Sequence, residues 1–128
     1  MTPMNRFWVI AIGAVLGANA RYWLGLWAAD RFGVTFPYGT LLVNVTGCFL
    51  LGFLVTLTTG RFVIAPEVRL LVAVGFFGSF TTFSSFAVET LALAQGGAFL
   101  RSLLNLLANN GIGLSAAWLG IATARLFG

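Results

Sequence analysis

Residues 68–94 read VRLLVAVGFFGSFTTFSSFAVETLALA. The run is long enough to cross a hydrocarbon core about 30 Å thick, for which a helix needs about 20 apolar residues. Its centre, GFFGSFTTFSSF at 75–86, nevertheless holds five phenylalanines, five hydroxyl side chains and two glycines in twelve positions. Polar groups cost free energy in lipid, so a segment of this kind turns them toward a partner or a water-filled path. Gly75, Gly78 and the run Ser79, Thr81, Thr82 also predict that the helix breaks near 75–82.

Three further apolar runs flank this one, at 7–29, 38–59 and 99–127. The 128 residues are 59% hydrophobic and 8% charged, with a mean hydropathy of +0.99, which exceeds what a soluble core of this size can absorb. The reading is a single all-α integral membrane domain over 1–128, with four transmembrane helices and a break in the third. A membrane β-barrel requires strands of about ten residues with alternating polarity, and no such pattern occurs. The first run is expected to remain as a spanning helix. Asn19, Arg21 and Tyr22 follow its apolar stretch, where a signal peptide would carry a small-residue cleavage site.

The chain has no His, one Cys (Cys48) and no Lys. An imidazole or thiolate metal cage, a disulfide within the chain, a phosphate-loop lysine and a Ser/His/Asp triad are therefore all excluded. The only carboxylates, Asp30, Glu67 and Glu89, lie on different segments, which argues against an enzyme. The net charge of +4 comes from arginines spread along the chain, so a nucleic-acid footprint is absent as well.

The placement of those arginines bears on orientation. Four spans put Arg6, Arg61, Arg69 and Arg125 on one side, against Arg31 and Arg101 on the other, with Arg21 leaning the same way as the second pair. An excess of Lys and Arg in short loops sets membrane orientation, and a near tie predicts insertion in both directions. Two opposed copies would then pair as an antiparallel, dual-topology homodimer, an intermolecular form of the inverted repeats in transport proteins. The alternative is a single topology.

Small residues indicate close packing. Gly13, Gly17 and Gly25 share a face of helix one with Arg21; Gly47 with Leu51 and Gly52, and Gly113 with Ala117 and Gly120, give comparable faces on helices two and four. Polar residues recur at helical spacing too: Thr40 and Asn44 on helix two, Asn105 and Asn109, with Asn110 adjacent, on helix four. Interhelical hydrogen bonding is the plain explanation for any one of them, worth only about 0.6 kcal/mol per pair. Three donor-rich faces together favour a polar path. Phe83 and Phe86 fall on roughly one face, and a phenyl ring presents a positive edge. A path of Asn amides, hydroxyls and ring edges, with no fixed cation deep inside, attracts a small anion without trapping it. Carbonyls freed by the break suit a cation instead.

In the order GAVLGANARY, GTLLVNVTG (39–47), GFFGSFTTFSSF (75–86) and a last helix ending GLSAAWLG, the chain resembles the fluoride channel family called Fluc or CrcB. The resemblance covers essentially the whole chain. It implies a dual-topology homodimer in the bacterial inner membrane that passively exports fluoride through pores built from both subunits. By the same resemblance Asn44 lines the pore, Phe83 and Phe86 present ring edges to fluoride, Thr40, Ser84 and Ser85 supply hydroxyls, and Arg21 faces an aqueous vestibule. The backbone carbonyls of Gly78 and Thr81 are implied to hold a central sodium ion.

One departure concerns helix four, where Asn105 and Asn109 stand in place of the family's Tyr and Ser, keeping hydrogen-bonding groups on the track. Glu89, one turn after Ser85 and Phe86, either lines the vestibule or is an exposed helix-end glutamate. Two rival readings remain. A proton-coupled small multidrug-type exporter fits the size and helix number, but needs a glutamate in mid helix one, where this chain has Asn19 and Arg21. A non-conducting membrane scaffold would use the polar faces only to hold helices together.

Overall fold

The computed structural model describes residues 1–60 and 62–127, and among these residues it is all helical, with no strand. Helix α1 spans Pro3–Phe32 and α2 spans Tyr38–Gly60. The next three pieces run on without a gap: an α-helical turn Pro66–Arg69, a π-helical stretch Leu70–Phe77 and a short α-helical Gly78–Phe80. Together they form α3. After an interruption at Thr81 and Thr82, α4 covers Phe83–Gln95. The last helix, α5, joins Phe99–Leu107, a π-helical turn Ala108–Ile112 and Gly113–Leu126.

Thr2 caps α1 by accepting from the Asn5 N–H at 3.2 Å, and Pro3 follows where a missing amide costs nothing. Gly33, at φ 83°, stops the helix by adopting a backbone conformation open to glycine. Three helical stretches are long and apolar enough to cross a membrane: Pro3–Phe32, Tyr38–Gly60 and Pro66–Gln95. The fourth expected run, 99–127, is helical over Phe99–Leu126 but is not among those three; its three asparagines dilute its apolar character. The first helix exceeds the expected 7–29 at both ends.

Up-and-down connection brings alternate ends together. Arg6 and Arg69 line one crevice with Val55 and Pro66, whereas Ala29, the 33–37 loop, Gly96 and Ala98 line a cleft at the opposite end. Arg6 and Arg69, expected on the same side, share the first of these ends; Arg61 lies outside the described residues.

Close approach of backbones holds the bundle. A Cβ on Gly13 would run into the Leu71 carbonyl oxygen and one on Gly17 into that of Phe76, so α1 lies directly against α3. The predicted faces on α2 and the last part of α5 meet likewise, a Cβ on Gly120 striking the Phe49 carbonyl. The core is small: Val43, Phe77 and Phe80 are buried together, with Leu24, Leu51 and Phe76 around them. Many large apolar residues, among them Phe7, Trp8, Trp23, Trp27, Leu100 and Trp118, are exposed on the outer faces, as lipid-facing positions are. They need no protein partner where the surroundings are themselves apolar.

Candidate functional site

The break is narrower than the span 75–82 predicted for it. Helix persists through Gly75, which α1 covers at Gly13, and through Gly78; the ladder ends with the Thr81 N–H donating to the Phe77 carbonyl at 3.2 Å. Thr81 and Thr82 then turn extended, at φ/ψ of −81°/156° and −149°/112°. Backbone groups released inside a membrane need partners. Thr82 finds both on α2: its N–H donates to Asn44 Oδ1 at 2.8 Å, and its carbonyl accepts from Asn44 Nδ2 at 3.0 Å. Gly47, one turn further along α2, has no room for a Cβ against the Thr81 methyl, so α2 comes up flush against the break.

From Asn44 a chain of hydrogen bonds runs to α5 and back to α4. Asn44 Nδ2 donates to Asn109 Oδ1 at 3.0 Å, Asn109 Nδ2 donates to Asn105 Oδ1 at 2.9 Å and to its carbonyl at 3.0 Å, and Asn105 Nδ2 donates to Thr90 Oγ1 at 2.9 Å. Thr90 Oγ1 in turn donates to the Phe86 carbonyl at 2.7 Å. The direction of every link is fixed at one end, because the Thr82 N–H can only donate and so requires an oxygen on Asn44. Asn105 is fully buried, with its Oδ1 and its Nδ2 each in a hydrogen bond.

Thr82 also starts α4. Its Oγ1 accepts from the Ser85 N–H at 3.2 Å, donates to Ser85 Oγ at 3.0 Å and lies 3.4 Å from Ser84 Oγ. The Phe83 and Phe86 rings stand edge to face, centroids 5.4 Å apart at 61°, with Phe86 buried and Phe83 76% exposed. Phe77 and Phe80, by contrast, belong to the core. A cavity of about 260 Å³ opens at the break, lined by Asn44, Thr82, Phe83, Phe86, Asn109 and Asn110, among others.

Thr40, one turn before Asn44 on α2, donates to Glu89 Oε1 at 2.8 Å, while Glu89 Oε2 is buried without a hydrogen-bond partner. Both residues line the cleft of about 620 Å³ at the end of the bundle that carries the 33–37 loop. Thus the structure gathers Asn44, Ser84, Ser85, Phe83, Phe86, Asn105 and Asn109 around the break and sets Thr40 with Glu89 apart, toward one end. Arg21 lines neither space. The Gly78 and Thr81 carbonyls lie at the end of α3, where Thr82 has turned its N–H away to Asn44; Gly78 is exposed, with nothing within 4 Å of where a Cβ would sit.

Thr82 and Thr90 were not among the predicted site residues. A threonine immediately before a helix that starts at Phe83 is a favoured N-cap residue, which is the signal that marks Thr82. Thr90 carries no such mark, since a hydroxyl bonding back one turn is ordinary in a membrane helix.

A sequence model of the family described as CrcB-like protein, Camphor Resistance (CrcB), matches residues 8–121. The chain is 46% identical over 117 residues to a protein of Roseiflexus sp. (strain RS-1), covering 91% of this chain and 94% of that one. It is 42% identical over 125 residues to one of Chloroflexus aurantiacus, covering 98% and 99%. With one of Sulfurihydrogenibium sp. it shares 45% over 123 residues, covering 96% and 99%. All three relatives are named fluoride-specific ion channel FluC.

Proposed function

The chain belongs to the CrcB family, and from that premise we propose that it is a passive fluoride channel, a multi-pass protein of the bacterial inner membrane and not an enzyme. The structural observation that carries the reading is the third span, interrupted at Thr81–Thr82 beside a cavity and closed by Asn44. A half-helix N-terminus favours an anion and a half-helix C-terminus a cation. Both ends meet at this point, α4 beginning at Phe83 and α3 ending at Phe80.

Fluoride is a hard, strongly hydrated anion, so removing its water demands several donors at once. In this reading Asn44, Asn109 and Asn105 hold the wall of the pore, Ser84, Ser85 and Thr40 add hydroxyls along it, and Phe83 and Phe86 offer ring edges. Arg21 and Glu89 belong to the approaches. All four runs span the membrane, including Phe99–Leu126, whose Asn105 is buried and whose Asn109 and Asn110 line the cavity. Two copies of opposite orientation form an antiparallel homodimer, which covers Phe83 and the exposed Gly78 and builds each pore from both subunits. The carbonyls of Gly78 and Thr81 fit a sodium ion, since they lie at the end of a half-helix with no following turn to donate to them. In that place the Gly78 and Thr81 carbonyls would coordinate the ion, which would supply the positive charge that their unpaired oxygens lack as a partner.

Passive conduction suffices for export. Hydrofluoric acid is weak and crosses membranes uncharged, so acid surroundings load a near-neutral interior with fluoride. An interior-negative potential then drives the anion out at about 2.3 kcal/mol per 100 mV. The test is efflux from liposomes loaded with potassium fluoride, read with a fluoride electrode after valinomycin and repeated with chloride. Rapid release of fluoride that waits for the ionophore, with chloride retained, is the expected result. No release from folded, reconstituted protein overturns the reading.

A further inference from the structure

An inventory of the side-chain donors around the 260 Å³ cavity leaves one strong donor uncommitted. Thr81 Oγ1 donates to the Phe77 carbonyl at 3.0 Å, and Thr82 Oγ1 donates to Ser85 at 3.0 Å. Asn44 commits its amide to Thr82 and Asn109, and Asn109 commits its own to two oxygens of Asn105. A primary amide carries two N–H donors, so both of these are fully engaged within the chain. Asn110 differs. Its Nδ2 donates to the Leu106 carbonyl at 2.8 Å, and no other hydrogen bond involves its side chain among the described residues. The residue is exposed and lines the cavity, whose only other side-chain donor to spare is the weak thiol of Cys48.

The local backbone explains how two neighbouring asparagines reach one space. Ala108–Ile112 is a π-helical turn, and the wider turn rotates successive side chains by less than an α-helix does. Asn109 can then join the hydrogen-bonded wall while Asn110 faces the cavity beside it.

Resting on the channel reading, we propose that Asn110 is an anion-contacting residue of the pore: its second N–H donates to fluoride as the ion passes the Phe83–Phe86 pair. The bond to Leu106 holds the amide in place beside the cavity and leaves its second hydrogen without a partner among the described residues. Asn44 and Asn109 act differently, as positioning residues whose amides are bonded to the protein.

The experiment measures fluoride efflux from liposomes carrying wild-type protein, Asn110→Leu, Asn110→Asp and Asn110→Ser, each reconstituted from a fraction of matching size. Asn110→Leu is expected to reduce flux by about tenfold or more, the loss when a hydrogen bond to a charged partner is removed. Asn110→Asp, nearly isosteric but without a donor when ionised, is expected to reduce it further, and Asn110→Ser to restore part of it. The fluoride concentration giving half-maximal flux rises in the first two, which a purely structural residue would not cause. Wild-type flux in folded Asn110→Leu and Asn110→Asp overturns the proposal while the channel reading stands. Should the leucine variant fail to fold, the aspartate variant decides alone. Absence of fluoride release from the wild type itself overturns the channel reading and the role of Asn110 with it.

Discussion

Asn44 is bonded to both backbone groups of Thr82, a residue 38 positions away, accepting from its N–H at 2.8 Å and donating to its carbonyl at 3.0 Å. One side-chain amide thus stands in for the helical neighbours that Thr82 lacks, and the break in the third span is held by the second. The same amide hands its remaining hydrogen to Asn109.

Asn44→Asp keeps the acceptor for the Thr82 N–H and loses both donors. The Thr82 carbonyl and Asn109 Oδ1 are then left facing a carboxylate. Stability is expected to fall by about 1–3 kcal/mol, the cost of unsatisfied buried polar groups, and fluoride flux to fall strongly. Thermal denaturation in detergent and liposome efflux check the two effects separately.

Phe83→Ile tests the ring edge without disturbing the core. The side chain is 76% exposed within the chain, so folding of the protomer should change by no more than about 0.5 kcal/mol. Fluoride efflux is expected to drop by more than about tenfold, equivalent to about 1.4 kcal/mol on the barrier. Unchanged flux from well-folded protein would remove Phe83 from the pore.

Asn105→Leu removes the central link of the amide chain. Asn109 Nδ2 loses one of its acceptors and Thr90 Oγ1 its donor, around a position where Asn105 itself is fully buried. A destabilisation of about 1–3 kcal/mol is expected. It should be non-additive with Asn44→Asp, since both lie in one network; a double-mutant cycle measures the coupling.

Gly17→Ala drives a methyl into the Phe76 carbonyl, and neither backbone can yield cheaply. Overpacking of this kind costs about 1–3 kcal/mol. Gly25→Ala, on the same helix, meets nothing within 4 Å and should be tolerated. Comparing the yield and thermal midpoint of the two variants separates close packing from simple glycine loss.

Protein purified throughout in choline salts should melt at a higher temperature once sodium is added. A ligand that binds only the folded state stabilises it by about 2.7 kcal/mol at a hundredfold excess over its dissociation constant. Potassium at equal ionic strength is the control. No sodium-specific shift would count against the site at Gly78 and Thr81.

Much of this was legible in the chain itself. Long apolar runs determine helices that cross a membrane, because no other use of that much apolar length satisfies the backbone. The glycines at 13 and 17 mark a close-packed face, and the hydroxyl-rich 75–86 marks an interruption, because both depend on residue type and spacing alone. What the tertiary structure decided is where the interruption falls and what each polar side chain does. Gly75 and Gly78 read as breakers, yet helix persists through both, Gly75 closely packed against α1; the chain opens at Thr81–Thr82, where Asn44 offers a donor and an acceptor together. Three asparagines look alike in the sequence. Whether an amide is committed or free depends on partners many residues away, so only the folded arrangement distinguishes Asn44 and Asn109, bonded into the wall, from Asn110, with a hydrogen to give.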